Sequence, residues 1–363
     1  MVEVESKGGF SPNWRTHPGE HLEEYLEVKG WTQADFARRA GMTPKLVSEI
    51  LSAKNPVTPE TAFKLQRVFG LKAEIWMSLQ SKWDLEQFRA KEAKKPIQLK
   101  DWLSEFPVSE LKKRGALPRT SDHKVLADAL CTLFGIGDPT AFSGLVKNMA
   151  VQHRKAVGDA KDGHVWSWLI LGESAASKLE LPRFSEDKFR EAVQEIRGLT
   201  LQRPEDFEPR MRKLCRDAGV ALVFEPPISK TKLFGSARWF NGGRNAIIQL
   251  SLRMKTNDHL WWTFFHECGH IVLHKGKNFA DDKNAHGDGL EHEADKWAEQ
   301  LLYGDEGVEP IIELLRRPSE PLVQKHARRL RLHPGILVGM LQHYQVIHYS
   351  ELNHLKARYD WAE

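Results

Sequence analysis

The run Trp261–His274, WWTFFHECGHIVLH, constrains this chain more than any other stretch. It has the apolar content of a core helix, with Leu260, Trp261, Trp262, Phe264 and Phe265 leading in and Ile271, Val272 and Leu273 following. Yet the same run carries His266, Glu267 and His270. Burying two imidazoles and a carboxylate without partners is costly, so a fold that accepts this helix must supply them. Residues four apart stand on one helix face, so His266 and His270 can hold one ion while Glu267, one residue round, reaches a water on it. A bound zinc ion (Zn2+) lowers the pKa of its water toward neutrality, and a carboxylate beside it can take the proton and hand it to a leaving amine. The chemistry implied is peptide hydrolysis.

A third ligand must come from elsewhere. His274 continues the series of fours, but the helical rise sets it roughly 12 Å along the axis from His266, too far to share an ion. The metzincin pattern needs a histidine where this chain has Gly276. Beyond a loop rich in Asp, Gly and Asn lies a second helical pattern, Glu291–Leu302, EHEADKWAEQLL. Two of its carboxylates compete for the ion. Ala294, Trp297, Ala298, Leu301 and Leu302 define its apolar face, and Glu291 lies nearer the centre of that face than Glu293. Glu291 is the expected ligand and Glu293 the alternative. Asp295, one turn after Glu291, is placed to receive the free N–H of a metal-bound imidazole. Cys268 points off the ligand face and reads as packing.

HECGH followed by about twenty residues and E-x-x-x-D resembles a gluzincin site of the thermolysin kind. The apolar lead-in, the Leu-His after the motif and the EHEADKWAEQLL helix are similar to the ImmA/IrrE metallopeptidases. That resemblance implies cleavage of a regulatory protein such as a repressor. The family commonly closes its second helix with Leu-Leu-Met-Pro, whereas this chain reads Leu301, Leu302, Tyr303, Gly304, which changes one wall of the cleft. No oxyanion stabiliser is identifiable, although Tyr303 and His286 are within the region that could provide one.

The N-terminal part has a different organisation. From His17, short amphipathic segments alternate with sharp punctuation. Leu22, Tyr25 and Leu26 form one stripe; Thr32 can cap a helix carrying Phe36 and Ala37; Gly41 breaks it; Thr43 caps the next, whose Val47, Ile50 and Leu51 face inward. In a helix, turn, helix unit the second helix enters the DNA major groove. Its outward positions here are Lys45, Ser48 and Glu49, with Thr43 and Pro44 at its start. Gln33 is placed to touch a phosphate, and Lys54 follows the recognition helix. The segments HPGE, GWTQADFARRAGM, SEIL, NPVTPETAFKL and FGLKAEIWMSLQ resemble HigA-type antitoxins of the XRE helix-turn-helix class across Thr16–Trp83. The resemblance implies a homodimer on palindromic double-stranded operator DNA, with toxin neutralisation in the authentic modules. Those are short, whereas this chain carries a long extension.

Charge adds little, since a net +4 over 363 residues leaves DNA binding to local groups. Three widely spaced cysteines, Cys131, Cys215 and Cys268, fit a reducing compartment better than a disulfide framework. With a polar start and no apolar run of membrane-spanning length, a cytoplasmic protein without membrane contact is expected. Lys91–Lys100, with four lysines broken by Pro96, reads as a hinge. His123, His153, His164 and the cluster from Lys325 to Arg331 read as surface, and Trp166 and Trp168 as core. ALVFEPP, GSARWFNG and NAIIQLSL read as short strands, whose sheet edge could hold an extended peptide above the metal, with Arg238 as a solvated strand residue.

The expected fold is α+β and mostly helical. Residues 1–14 form a tail, 15–90 an all-α helix-turn-helix domain, 91–184 a linker and helical connector, 185–310 a gluzincin-like domain with a small sheet, and 311–363 a C-terminal helical region. The expected function is a DNA-binding regulator carrying a zinc-dependent endopeptidase that acts on a repressor, a toxin or itself. The alternative is a non-catalytic repressor or antitoxin with a structural or sensory metal site. Structural zinc usually has four protein ligands, often cysteines, which this set lacks.

Overall fold

The computed structural model describes residues 16–92, 99–146, 161–281, 289–305 and 307–361. The tail, the centre of the Lys91–Lys100 hinge, His153 and His286 lie outside the described residues. Two compact units emerge, Met1–Ile97 and Gln98–Glu363. Among the described residues no helix is long and apolar enough to cross a membrane.

Among its described residues the first unit has five helices: α1 (Pro18–Lys29), α2 (Gln33–Ala40), α3 (Pro44–Leu51), α4 (Pro59–Phe69) and α5 (Ala73–Glu92). Each of the first four starts at a side-chain cap. His17 Nδ1 accepts from the Gly19 amide at 2.9 Å, and Thr32, Thr43 and Thr58 accept from the amides three residues on. Gly41, at φ 60°, gives the left-handed turn between α2 and α3 that a side chain would resist. The inward stripes meet in one core of Leu22, Phe36, Val47, Ile50, Leu65 and Trp76. A buried glutamine ties it to the long helix, since Gln80 Oε1 accepts from the Val57 amide at 2.8 Å.

The second unit is built on a four-stranded sheet: β1 (Val220–Phe224), β2 (Gly235–Phe240), β3 (Asn245–Leu250) and β4 (Phe279–Asp281), in the order β1-β3-β2-β4. β1 runs parallel to β3, and the other pairs are antiparallel. Helices α6 (Leu99–Leu103), α7 (Val108–Lys113), α8 (His123–Phe134) and α9 (Asp162–Ala176) precede the sheet, followed by α10 (Glu186–Arg197) and α11 (Pro204–Asp217). After β3 come α12 (Asn257–Leu273), α13 (Gly289–Tyr303), α14 (Glu309–Leu314), α15 (Glu320–Leu330) and α16 (Pro334–His343).

The strands alternate between two cores. Val220, Leu222, Ala237, Ala246 and Ile248 face the core of α10–α12, while Ala221, Val223 and Ile247 face the side of α9. Both faces are covered, and β1, Val-Ala-Leu-Val-Phe, reads accordingly as a continuous apolar run. This placement corrects the sequence reading of Arg238. It is 3 % exposed and clamps β2 to α9, donating to Leu169 O at 2.9 Å and Gln249 Oε1 at 2.8 Å, with Glu173 Oε2 at 3.3 Å. Burial pushes its pKa down to about 10, against the opposing pull of Glu173 and Glu267. His164 is likewise buried, its Nδ1 2.8 Å from Ser229 O, and is not a surface residue.

The boundaries expected near residues 184 and 310 are not boundaries in the structure. Arg114 donates to Pro226 O and Pro227 O at 2.9 Å each, and Ile228 and Leu233 complete the connector core. At the other end, Val323, Ile336, Leu341 and Tyr359 share one core with Phe264, Phe265 and Cys268. Arg197 donates to the carbonyls of Leu301, Leu302 and Leu330, closing the ends of α13 and α15 together. Lys356 Nζ sits 2.6 Å from Asp258 Oδ2 and 2.7 Å from Gln342 Oε1, fastening the last described segment to the start of α12.

Candidate functional site

Helix α12 is buried nearly all round; its His266 and His270 meet Glu291 of α13, and its Glu267 lies against Gly235 of β2. The two helices approach closely at Gly269, where a Cβ would lie 3.1 Å from Ala294 Cα and 3.2 Å from Ala294 O. Glu291, one turn before Ala294, is thereby brought over the histidines. His266 Nε2 and His270 Nε2 are 3.0 Å apart, and Glu291 Oε2 lies 3.2 Å from the first and 3.4 Å from the second. Bonds of about 2.0–2.2 Å at tetrahedral angles separate ligand atoms by about 3.3–3.6 Å, close to the spacings here, so these donors suit three corners of a zinc site.

The surroundings suit ligands. His266 is 3 % exposed and His270 1 %. Burial, the largest influence, brings His270 down to about 4, so the ring is neutral near pH 7. Burial works against the Glu291 charge, but hydrogen bonding to His266 and His270 outweighs it and holds the carboxyl well below the usual carboxylate range. Behind His266, Asp295 Oδ1 lies 2.9 Å from Nδ1, where it can receive the ring proton and leave Nε2 facing inward.

Glu267 is fully buried and stands beside β2 rather than among the three donor atoms. Gly235 makes room for it; a Cβ there would drive into Glu267 Oε1 and come within 2.7 Å of Thr263 Cγ2. On the side of β2 away from β3 the chain itself supplies the next strand. Gly235–Ala237 pair with β4, and Asn278 Oδ1 accepts from the Trp239 amide at 2.8 Å.

Glu293, the alternative ligand, lies outside the donor cluster. Its Oε2 is 2.9 Å from His274 Nε2, and His274 Nδ1 is 3.1 Å from His270 Nδ1. Sequence reasoning set His274 aside by distance from His266. The spacing that could have found it was its four-residue step from His270. Cys268 packs in the core, where burial raises its thiol well above the ordinary range. Tyr303 is buried in the same core, which keeps its phenol protonated.

In the first unit, Gln33, Thr43, Pro44, Lys45, Ser48 and Lys54 are all exposed around α2 and α3. Glu49 differs. It is half-buried, accepts from Asn55 Nδ2 at 3.0 Å, and lies 3.8 Å from Lys45 Nζ.

Residues 22–76 match a helix-turn-helix family model. Over 70 residues the chain is 34 % identical to the uncharacterized HTH-type transcriptional regulator YddM of Escherichia coli, covering 19 % of this chain and 74 % of that protein. It is 37 % identical over 71 residues to virulence-associated protein I of Dichelobacter nodosus, covering 19 % of this chain and 66 % of the relative. Among solved structures, a HigA-family addiction module antidote protein from Coxiella burnetii is 30 % identical, with 22 % of this chain and 88 % of that one covered and a TM-score of 0.21. The Pseudomonas aeruginosa antitoxin HigA, solved with the higBA promoter, is 30 % identical over 23 % of this chain and 96 % of its own, with a TM-score of 0.22.

Proposed function

The chain belongs, through its N-terminal unit, to the helix-turn-helix transcriptional regulators, and on that premise we propose an operator-binding regulator that also carries a zinc-dependent endopeptidase. In the first unit α3 is the helix that enters the major groove of double-stranded DNA, with Thr43 and Pro44 at its start and Lys45 and Ser48 toward the bases. Gln33 and Lys54 take phosphates. The support is that these six side chains are exposed on or beside two capped helices whose opposite faces fill the core. The proposal includes a homodimer, since α5 exposes Leu85 and Phe88 in the same unit.

In the second unit the observation that carries the reading is the set of three donor atoms 3.0–3.4 Å apart in a buried cluster. His266 and His270 would hold the ion through Nε2, and Glu291 through Oε2. When bound, zinc supplies Lewis acidity toward a carbonyl oxygen and its water. Glu267 takes a proton on its carboxylate and returns it to the departing amine. Asp295 orients His266, and the apolar residues of α12 limit water around the ligands. The substrate is a peptide bond in a regulatory protein, with a repressor, a toxin or this chain as candidates.

The test is elemental analysis of the wild type and of His270→Ala purified in one buffer. About one zinc per chain, lost in the variant, supports the reading and makes Glu267→Gln the inactive control in a search for the cleaved protein. Absence of zinc from the wild type would sink the peptidase and leave a regulator without a metal centre. For the first unit, Lys45→Ala with Ser48→Ala should weaken operator preference and leave metal content unchanged. An unaltered footprint would count against α3.

A further inference from the structure

One histidine and one carboxylate line up behind His270 in an order from which the position of each proton follows. His270 presents Nε2 to His266 and Glu291, and turns Nδ1 toward His274 Nδ1 at 3.1 Å. His274 then presents Nε2 to Glu293 Oε2 at 2.9 Å. Two ring nitrogens 3.1 Å apart make a hydrogen bond only when one carries the proton and the other a lone pair. A neutral histidine that ligates through Nε2 carries its proton on Nδ1, so His274 Nδ1 must accept. The proton of His274 is then on Nε2, and Glu293 receives it.

The opposite arrangement fails at the far end. With the His270 proton on Nε2, His274 would carry its own on Nδ1 and turn a bare Nε2 toward the carboxylate, setting lone pair against lone pair at 2.9 Å. The choice made at Glu293 is thus passed through one ring to the next. We infer that His274 and Glu293 are a positioning pair that holds His270 in the tautomer with Nε2 free for the ion. The inference rests on the proposed metal centre, and it assigns roles to a histidine and a glutamate that do not themselves ligate. It also gives the two ligand histidines different supports, since His266 meets a carboxylate directly through Asp295 Oδ1 at 2.9 Å. The Glu293 side chain is 60 % exposed, which screens its influence. Outer partners of this kind change metal affinity by about 10–100-fold, and the exposed position points to the lower end.

The experiment uses the whole chain. Zinc dissociation constants come from competition with a chromophoric chelator for wild type, His274→Ala, Glu293→Ala and the double variant. Circular dichroism melting of each metal-free protein checks the fold. Glu293→Ala should weaken zinc about 10-fold and His274→Ala by at least as much. The double variant should be no weaker than His274→Ala, because Glu293 acts only through that ring. Restoring an acceptor with His274→Gln should recover part of the loss. Wild-type affinity in Glu293→Ala, or additive losses in the double variant, would overturn the inference. Side-chain nitrogen shifts of the histidine-labelled, zinc-loaded protein should show His270 protonated on Nδ1 and His274 on Nε2, with the His274 signals shifting in Glu293→Ala. A wild type that binds no zinc would overturn the metal centre and the pair with it, whereas a zinc-loaded wild type whose affinity and shifts are unchanged in Glu293→Ala would overturn the pair alone.

Discussion

Replacing Gly269 by alanine tests whether close packing of two helices sets the geometry of the donor cluster. The added Cβ would stand 3.1 Å from Ala294 Cα, 3.2 Å from Ala294 O and 3.4 Å from Ala294 Cβ. Carbon contacts relax at about 3.5–4.0 Å, so α12 and α13 must part by a few tenths of an ångström. Ala294 lies between Glu291 and Asp295, and the shift therefore moves both against the histidines. Metal sites tolerate departures of only about 0.2 Å in ligand distance. Two stability effects oppose each other. Alanine gains about 1 kcal/mol over glycine within a helix, and overpacking costs about 1–3 kcal/mol. The metal-free fold should therefore lose no more than about 2 kcal/mol in urea unfolding, while zinc binding weakens at least 10-fold, or about 1.4 kcal/mol, by chelator competition. Gly269→Val should weaken it further. Undiminished affinity in Gly269→Ala would refute the argument that this contact sets the distance from Glu291 to the histidines.

Three other outcomes are expected. Burial lowers the pKa of His17, with Glu20 and Asp84 opposing; its contribution to α1 is therefore full above the unfolded value near 6.5 and is lost as pH falls through the folded value, because the unfolded chain protonates first. Amide exchange protection of α1 should drop between pH 7.5 and pH 5 in the wild type and less in His17→Asn, and equal drops would remove His17 as the cause. Gly235→Ala should displace Glu267 and destabilise the fold by roughly 1–3 kcal/mol while keeping the zinc content of the wild type; lost zinc would show that Glu267 is not separable from the holding residues. Arg238→Met strands the Leu169 carbonyl and Gln249, and should reduce unfolding free energy by roughly 3 kcal/mol; a neutral effect would mean that the clamp between β2 and α9 is dispensable.

Much of the fold can be read from spacing because the deciding forces are local. Thr32 and Thr43 cap the helices they precede, and the three apolar strand runs are strands. What could not be read depends on partners distant in sequence. Arg238 lies in an alternating strand, but its exposure depends on whether α9 covers that face, which no property of the strand reveals. By contrast, Glu291 and Glu293 begin the same helix about 200° apart, so the apolar face of α13 already favours Glu291, and the approach at Gly269 then brings it to His266. β4 is three residues long, too short for a pattern. The expected boundaries at 184 and 310 follow changes of pattern along the chain, whereas the core crosses both.

The fastening of Lys356 to Asp258 spans 98 residues of chain. At about 5–20 residues per second, ribosomal synthesis separates these partners by roughly 5–20 s. The buried core described for the first unit runs from Leu22 to Trp76, and that stretch is complete in the nascent chain well before Lys356 is made. During each round of translation the DNA-reading part is therefore available to fold ahead of the part that holds the donor cluster. A chain halted before Lys356 would retain the helix-turn-helix but lack the fastening at the head of the HECGH helix.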